Sequence, residues 1–123
     1  MKKNLRVWLV VLLLAVLFIN KSISLVSVRG RSMQPTVEPG QTVVIQKVFY
    51  SLHPKDIILF RDPEGELSLK RISLIEGDNI YVLGDNQDVS IDSLEFGAIS
   101  RSNIIGKLMF PLTKDYVVPS ISP

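Results

Sequence analysis

The chain has 123 residues, 46% of them hydrophobic, with a formal net charge of +2 and no cysteine. That length suits one domain and leaves no room for a second of ordinary size. Disulfide and thiolate chemistry are excluded, and a single histidine without cysteine argues against a zinc site.

The first element is an apolar run at 7–19, VWLVVLLLAVLFI, with Lys2, Lys3 and Arg6 before it and Lys21 after it. A run of this length suits either the apolar region of a cleaved signal peptide or a membrane-spanning helix. Leu5 and the stem of Arg6 extend it on one side, and Lys21 can snorkel on the other. The nearest small-residue cleavage site, Ser22-Ile23-Ser24, is a poor one. The expectation is a retained anchor over 1–22. The excess of basic residues before the run keeps the N-terminus cytoplasmic and puts the rest outside. Beyond Lys21 the chain holds ten basic against twelve acidic residues, a net −2. A nucleic-acid partner therefore has no electrostatic motive.

After the anchor the pattern is β-like. Apolar runs at 24–28, 42–48, 57–61, 67–75, 80–83 and 104–109 are separated by Gly, Pro, Asn and Asp. No sustained helical period follows the anchor. The expected fold is mainly β: a small antiparallel barrel or pair of packed sheets over 23–116, with a flexible tail at 117–123. The polar segment 84–97, GDNQDVSIDSLEFG, is a long loop between strands, of the kind that carries function.

Three groups of residues can do chemistry. Ser32 follows a strand, near Gly30 and three residues before Pro35, in a turn able to expose its hydroxyl and its N–H. A nucleophile with an adjacent oxyanion donor needs that placement, although an ordinary polar turn has the same residues. The only histidine, His53, lies in a turn, so a Ser-His-Asp triad is poorly supported. Lys70 shares strand parity with Ile72 and Leu74, which points it inward, with a bulge possible where the apolar phase changes. Burial there lowers a lysine's pKa, and a neutral amine can act as a general base. In the 84–97 loop, Asp85, Asn86, Ser90 and Asp92 can orient such an amine or pair with Arg71. A solvated loop is the plainer reading, and the acids do not fit a calcium-loop spacing.

In this order, behind an apolar anchor, these segments resemble the bacterial type I signal peptidase family of Ser–Lys dyad proteases. Ser32-Met33-Gln34-Pro35-Thr36 resembles its nucleophile segment, and Pro39-Gly40-Gln41-Thr42-Val43-Val44 the next, with Gln41 where Asp is common. Lys70-Arg71 resembles the general-base segment, and Gly84-Asp85-Asn86 with Ser90, Asp92, Ser93 and Gly97 the last. The resemblance implies Ser32 as nucleophile, Lys70 as base, and Ser90 as the group orienting Lys70. Arg71, Asp85, Asn86 and Asp92 would support them. Val26, Val28, Gly30, Met33 and Leu69 would line substrate pockets. It implies a plasma-membrane endopeptidase with no cofactor and no metal, which removes signal peptides after small residues. Its partners would be secretory precursors, membrane lipid and the export translocon.

Three departures stand out. Leu94 replaces a common Arg, which leaves Arg71 to hold the loop carboxylates alone. Gly30 stands where some members carry a second oxyanion hydroxyl. Arg31 beside the nucleophile would favour a neutral Lys70 if its charge lay near. Two rival readings remain open: an anchored β domain that binds exported proteins without cutting them, and a self-cleaving repressor-type Ser–Lys peptidase.

Overall fold

A computed structural model describes residues 2–111 of the chain; the expected domain end at 116 and tail at 117–123 lie outside the described residues. Helix α1, Lys2–Ser22, carries the apolar run. Twenty-one residues make about 30 Å of helix, the thickness of a bilayer's hydrocarbon core. Its apolar window, Lys3–Ser22, has none of its length buried against the rest of the chain.

The strands follow as β1 (Ile23–Ser27), β2 (Thr42–Gln46), β3 (Ile57–Arg61), β4 (Leu67–Glu76) and β5 (Asn79–Leu83). A one-turn helix α2 (Ser93–Phe96), strand β6 (Ile99–Ser100), a 3₁₀ turn at Arg101–Asn103 and β7 (Ile104–Pro111) complete the order. Six strands lie where the apolar runs predict them, with ends moved by one or two residues. Strand β6 and α2 are additions to that pattern. Both are shorter than any window in which a hydrophobic period can be read.

All strand pairs are antiparallel, in the order β1-β2-β7-β3-β4-β5-β6. This single sheet curls into a half-barrel, with the apolar side chains divided between two clusters. Strand β3 divides them. Ile57 and Leu59 join Val28, Met33, Val37, Val43 and Ile45, while Ile58 and Phe60 join Ile72, Ile80, Val82 and Ile99. Four consecutive buried residues on β3 mean that both of its faces are covered, so its sequence is continuously apolar and does not alternate. Strand β7 crosses between β2 and β3, with register shifts on both partners. Gly106 permits the crossing: a Cβ there would lie against Ile45 Cγ2 and the Gln46 carbonyl oxygen.

Two features of this sheet shape the site. Strand β1 is an edge, bonded only to β2. Strand β4 bonds β3 along Leu67–Arg71, but bonds β5 only from Arg71 onward. Leu67, Ser68, Leu69 and Lys70 therefore have one unpaired backbone side. A bulge between Ile72 and Leu74 breaks the alternation that parity alone predicts. Lys70 and Ile72 are buried as expected, but Leu74 is turned out to 46% exposure.

Candidate active site

A cleft of about 830 Å³ opens between the 26–30 segment at the end of β1 and the first half of β4. Ser32 and Lys70 both line it. Val26, Val28, Gly30, Met33 and Leu69, the residues expected to form substrate pockets, line it too. Met33 and Val28 reach the cleft from the first core cluster, and Val26 and Leu69 pack against that cluster. The pocket walls are thus the outer surface of the core and inherit its rigidity.

The Ser32 turn is built from local bonds. Gln34 N–H donates to the Arg31 carbonyl (3.2 Å) and Val37 N–H to the Met33 carbonyl (2.9 Å). The Gln34–Pro35 peptide bond is cis. The 84–97 loop clamps the turn from the other side. Asn86 N–H donates to the Ser32 carbonyl (2.7 Å), and Asn86 Nδ2 to the Arg31 carbonyl (3.2 Å) and Gln34 Oε1 (3.3 Å). Among the described residues, no oxygen accepts from the Ser32 N–H. Gly30 is exposed, and a Cβ there would meet nothing within 4 Å.

Lys70 is 6% exposed and forms no ion pair among the described residues. Desolvation lowers its pKa, and the carboxylates of Asp92 and Asp62 oppose the shift without cancelling it. The contribution expected from Arg31 is corrected here. Arg31 is exposed, and the charges acting on Lys70 are those two carboxylates.

The supporting residues fall into two groups. Arg71 grips Asp85 with two bonds, Nε to Oδ1 and Nη2 to Oδ2, both 2.8 Å. Its Nη1 donates to the Lys55 carbonyl (2.7 Å). Thr36 Oγ1 adds a bond to Asp85 Oδ2 (2.5 Å), which ties the Ser32 turn to the same carboxylate. Burial alone would raise the Asp85 pKa; the bonds from Arg71 and Thr36 outweigh it and hold the group below the usual carboxylate range.

Asp92 is 1% exposed and does not meet Arg71. Its Oδ2 accepts from Gly84 N–H (2.9 Å), Ser90 Oγ (2.8 Å) and Gln87 Nε2 (3.1 Å), and its Oδ1 from Leu94 N–H (3.1 Å). Burial would raise this carboxyl as well, and the four bonds keep it low. The expectation that Arg71 holds all the loop carboxylates is therefore corrected: it holds Asp85, and the loop holds Asp92 by itself. Asp92 is also the N-cap of α2. Leu94 takes part through its backbone, while its side chain is 75% exposed.

Ser90 Oγ gives its proton to Asp92, and no bond joins it to Lys70 among the described residues. It packs on Gly84. A Cβ at position 84 would collide with the Ser90 side chain and lie 2.8 Å from the Ser32 carbonyl oxygen. Gly84 thus lets the loop, the Ser32 turn and Ser90 come together. His53 lies on the β2–β3 connection, exposed and beside Asp56, and does not line the cleft.

Sequence reasoning missed Gln87 as part of the site, and it named Gly84 and Thr36 only within the resembling segments, with no role for either. Gln87 Nε2 bridges the Gly84 carbonyl (2.6 Å) and Asp92 Oδ2 (3.1 Å). Nothing in a polar loop marks one glutamine among its neighbours. Thr36 carried a signal, since it belongs to the segment that holds Ser32.

A curled β sheet with a serine turn and a buried, unpaired lysine on one cleft defines a candidate hydroxyl-nucleophile site of the Ser–Lys kind. The family described as "Signal peptidase, peptidase S26" matches residues 1–82 and 73–113, and the chain belongs to that family. Curated relatives agree. "Probable signal peptidase I-1" of Synechocystis sp. is 27% identical over 64% of this chain and 65% of its own length. "Signal peptidase I V" of Bacillus subtilis is 29% identical over 74% of this chain and 66% of its own. "Mitochondrial inner membrane protease subunit 2" of Saccharomyces cerevisiae is 32% identical, over 72% and 67%. The chain spans about two thirds of the length of these relatives.

Proposed function

We propose that the chain is a membrane-anchored serine endopeptidase that removes signal peptides from exported precursors, with Ser32 as nucleophile and Lys70 as general base. The observation that carries this reading is a buried lysine, with lowered pKa, lining the same cleft as a serine in a clamped turn. Lys70 in its neutral form takes the proton of the Ser32 hydroxyl, whose oxygen then attacks the scissile carbonyl. The Ser32 N–H donates to the oxyanion. Lys70 returns the proton to the leaving amine, and a water whose proton Lys70 accepts releases the acyl group.

Two unpaired strand edges, β1 and the first half of β4, flank the cleft and suit an extended precursor segment held by main-chain bonds. Shallow apolar walls from Val26, Val28, Met33 and Leu69 favour small side chains beside the cut. The basic residues before α1 favour a cytoplasmic N-terminus and a catalytic domain on the outer face of the plasma membrane. Precursors, lipid and the export machinery are the partners this arrangement fits.

The test is cleavage of a purified secretory precursor in detergent by the unsubstituted chain, Ser32→Ala and Lys70→Ala. Each substitution is expected to lower kcat/KM by at least about a thousandfold with the fold retained by circular dichroism. Precursor binding with no cleavage by the unsubstituted chain would replace this reading with that of a non-catalytic binding domain.

A further inference from the structure

Asp62 follows β3 directly and opens the turn into β4. Its Oδ1 accepts from the Glu64 N–H (3.0 Å) and the Glu66 N–H (2.9 Å). Its own N–H donates to the Glu66 carbonyl (2.8 Å), and its carbonyl accepts from the Gly65 N–H (2.9 Å). These four bonds close the turn and fix the carboxylate. The second oxygen has another partner: Oδ2 accepts from Ser68 Oγ (3.2 Å), on β4. Closing the turn does not need that bond.

The strand register shows where it leads. Phe60 pairs with Ser68 and Ile58 with Lys70. Opposed side chains in an antiparallel pair share a face, so Ser68 and Lys70 stand in one row beside Phe60 and Ile58. The two rows meet Asp62 at their end, through Ser68. Ser68 and Lys70 are two residues apart, about 7 Å along the strand, and both line the cleft. Phe60 and Ile58 are fully buried. An apolar floor screens charge poorly, so the field of a carboxylate held at Ser68 reaches the amine of Lys70.

The other charges around Lys70 are accounted for. Asp92 acts from the 84–97 loop, and Asp62 is the second carboxylate whose charge favours the protonated amine. Arg29, Arg61 and Glu66 line the cleft but are exposed to water, as is Arg31 beside Ser32. Arg71 alternates to the opposite face of β4 and is bonded to Asp85. Asp62 is partly buried and pinned by the turn, which the exposed groups are not.

We propose that Asp62, tethered by Ser68, is a positioning residue for Lys70: a fixed counter-charge that stabilises the ammonium formed when Lys70 takes the proton of Ser32. Burial favours the neutral amine before that step, and Asp62 favours the charge that develops during it. The proposal deepens the reading of Lys70 as general base and rests on it.

The test follows the amine directly. The full chain in detergent is labelled with 13C-lysine, and the Lys70 side-chain signal, identified by its loss in Lys70→Met, is titrated by NMR. Asp62→Asn keeps an oxygen for the turn and removes the charge. It is expected to lower the Lys70 midpoint by about 0.5–1 pH unit. The rising limb of kcat/KM for precursor cleavage moves to lower pH by the same amount, and its plateau falls about threefold or more because the base is weaker. Ser68→Ala keeps the charge, releases the tether and is expected to give part of the same shift. An unchanged midpoint in Asp62→Asn would reduce Asp62 to closing the turn, and an unchanged midpoint in Ser68→Ala would overturn the tether. An equal fall in Glu66→Gln would assign the effect to the acidic turn at large, against the proposal. A lowered midpoint in a chain whose unsubstituted form cuts no precursor would keep the charge contact and overturn the peptidase reading instead.

Discussion

Lys70 occupies a strand position where an apolar side chain would fit better. It is 6% exposed, it forms no ion pair among the described residues, and desolvation is the largest influence on its amine. Replacing it with a chain of similar length and no charge removes that penalty. Lys70→Met is therefore expected to raise stability at pH 7 by about 1 kcal/mol, measured by urea unfolding, while abolishing cleavage. A loss of stability would mean that Asp92 and Asp62 stabilise the amine more than burial costs it. The position was legible because parity with Ile72 turns it inward. The parity argument failed at Leu74, because the bulge that the change of apolar phase at Lys70 made possible falls between Ile72 and Leu74, a position that the spacing does not fix. The roles of Gly84 and Gln87 were hidden for different reasons. Gly84 acts by close approach to the Ser32 turn, a segment remote in the chain, and Gln87 forms one bond among several that a polar loop could form.

At the scale of elements, the site is a clamp between a turn and a loop. The turn carries Ser32; the loop presents Asn86 to its carbonyl and Asp85 to Thr36. Strand β4 presents Arg71 to the same Asp85. The sheet beneath was readable from apolar runs and their Gly, Pro and Asp breaks, and the loop from its polarity and length. The clamp was readable only as likeness to a family, since bonding partners across a fold have no periodicity. Gly84 is the point of closest approach in the arrangement. Gly84→Ala places a methyl group against Ser90 and the Ser32 carbonyl, and one of the two segments must move. The expected stability cost is about 1–3 kcal/mol, with a larger effect on kcat than on KM because the Ser32 turn shifts while the strand edges stay. Steady-state kinetics with a precursor peptide, alongside urea unfolding, separates the two effects. An equal fall in stability for Gly84→Ala and Gly106→Ala, with kcat unchanged in both, would reduce Gly84 to a packing role.

For the molecule as a whole, Asp85 joins the Ser32 turn to β4 and Asp92 holds the 84–97 loop together, and both carboxylates make stability depend on acid. Asp85 and Asp92 have folded-state pKa values held below the ordinary carboxylate value by their bonds, in spite of burial. In the unfolded chain they titrate near 3.9, approximately the free aspartate value. Between the two values the unfolded chain binds more protons than the folded one, so stability rises with pH across that window. Their stabilisation is complete above the unfolded value and is lost as the pH falls through the folded values. Lys70 has the same slope at the alkaline end. Its folded pKa is lowered, so the penalty for its charge appears as pH falls below the ordinary lysine value and is complete below the folded one. Neutral pH thus combines the full benefit of the two aspartates with the charge penalty of the lysine. Asp85→Asn removes one of the acid contributions and leaves Arg71 with a weaker acceptor. It is expected to lose about 1–3 kcal/mol at pH 7 and less at pH 3, measured by urea unfolding at each pH. An equal loss at both values would mean that Asp85 acts by shape alone, and that the Arg71 grip contributes no charge-dependent stability to the fold.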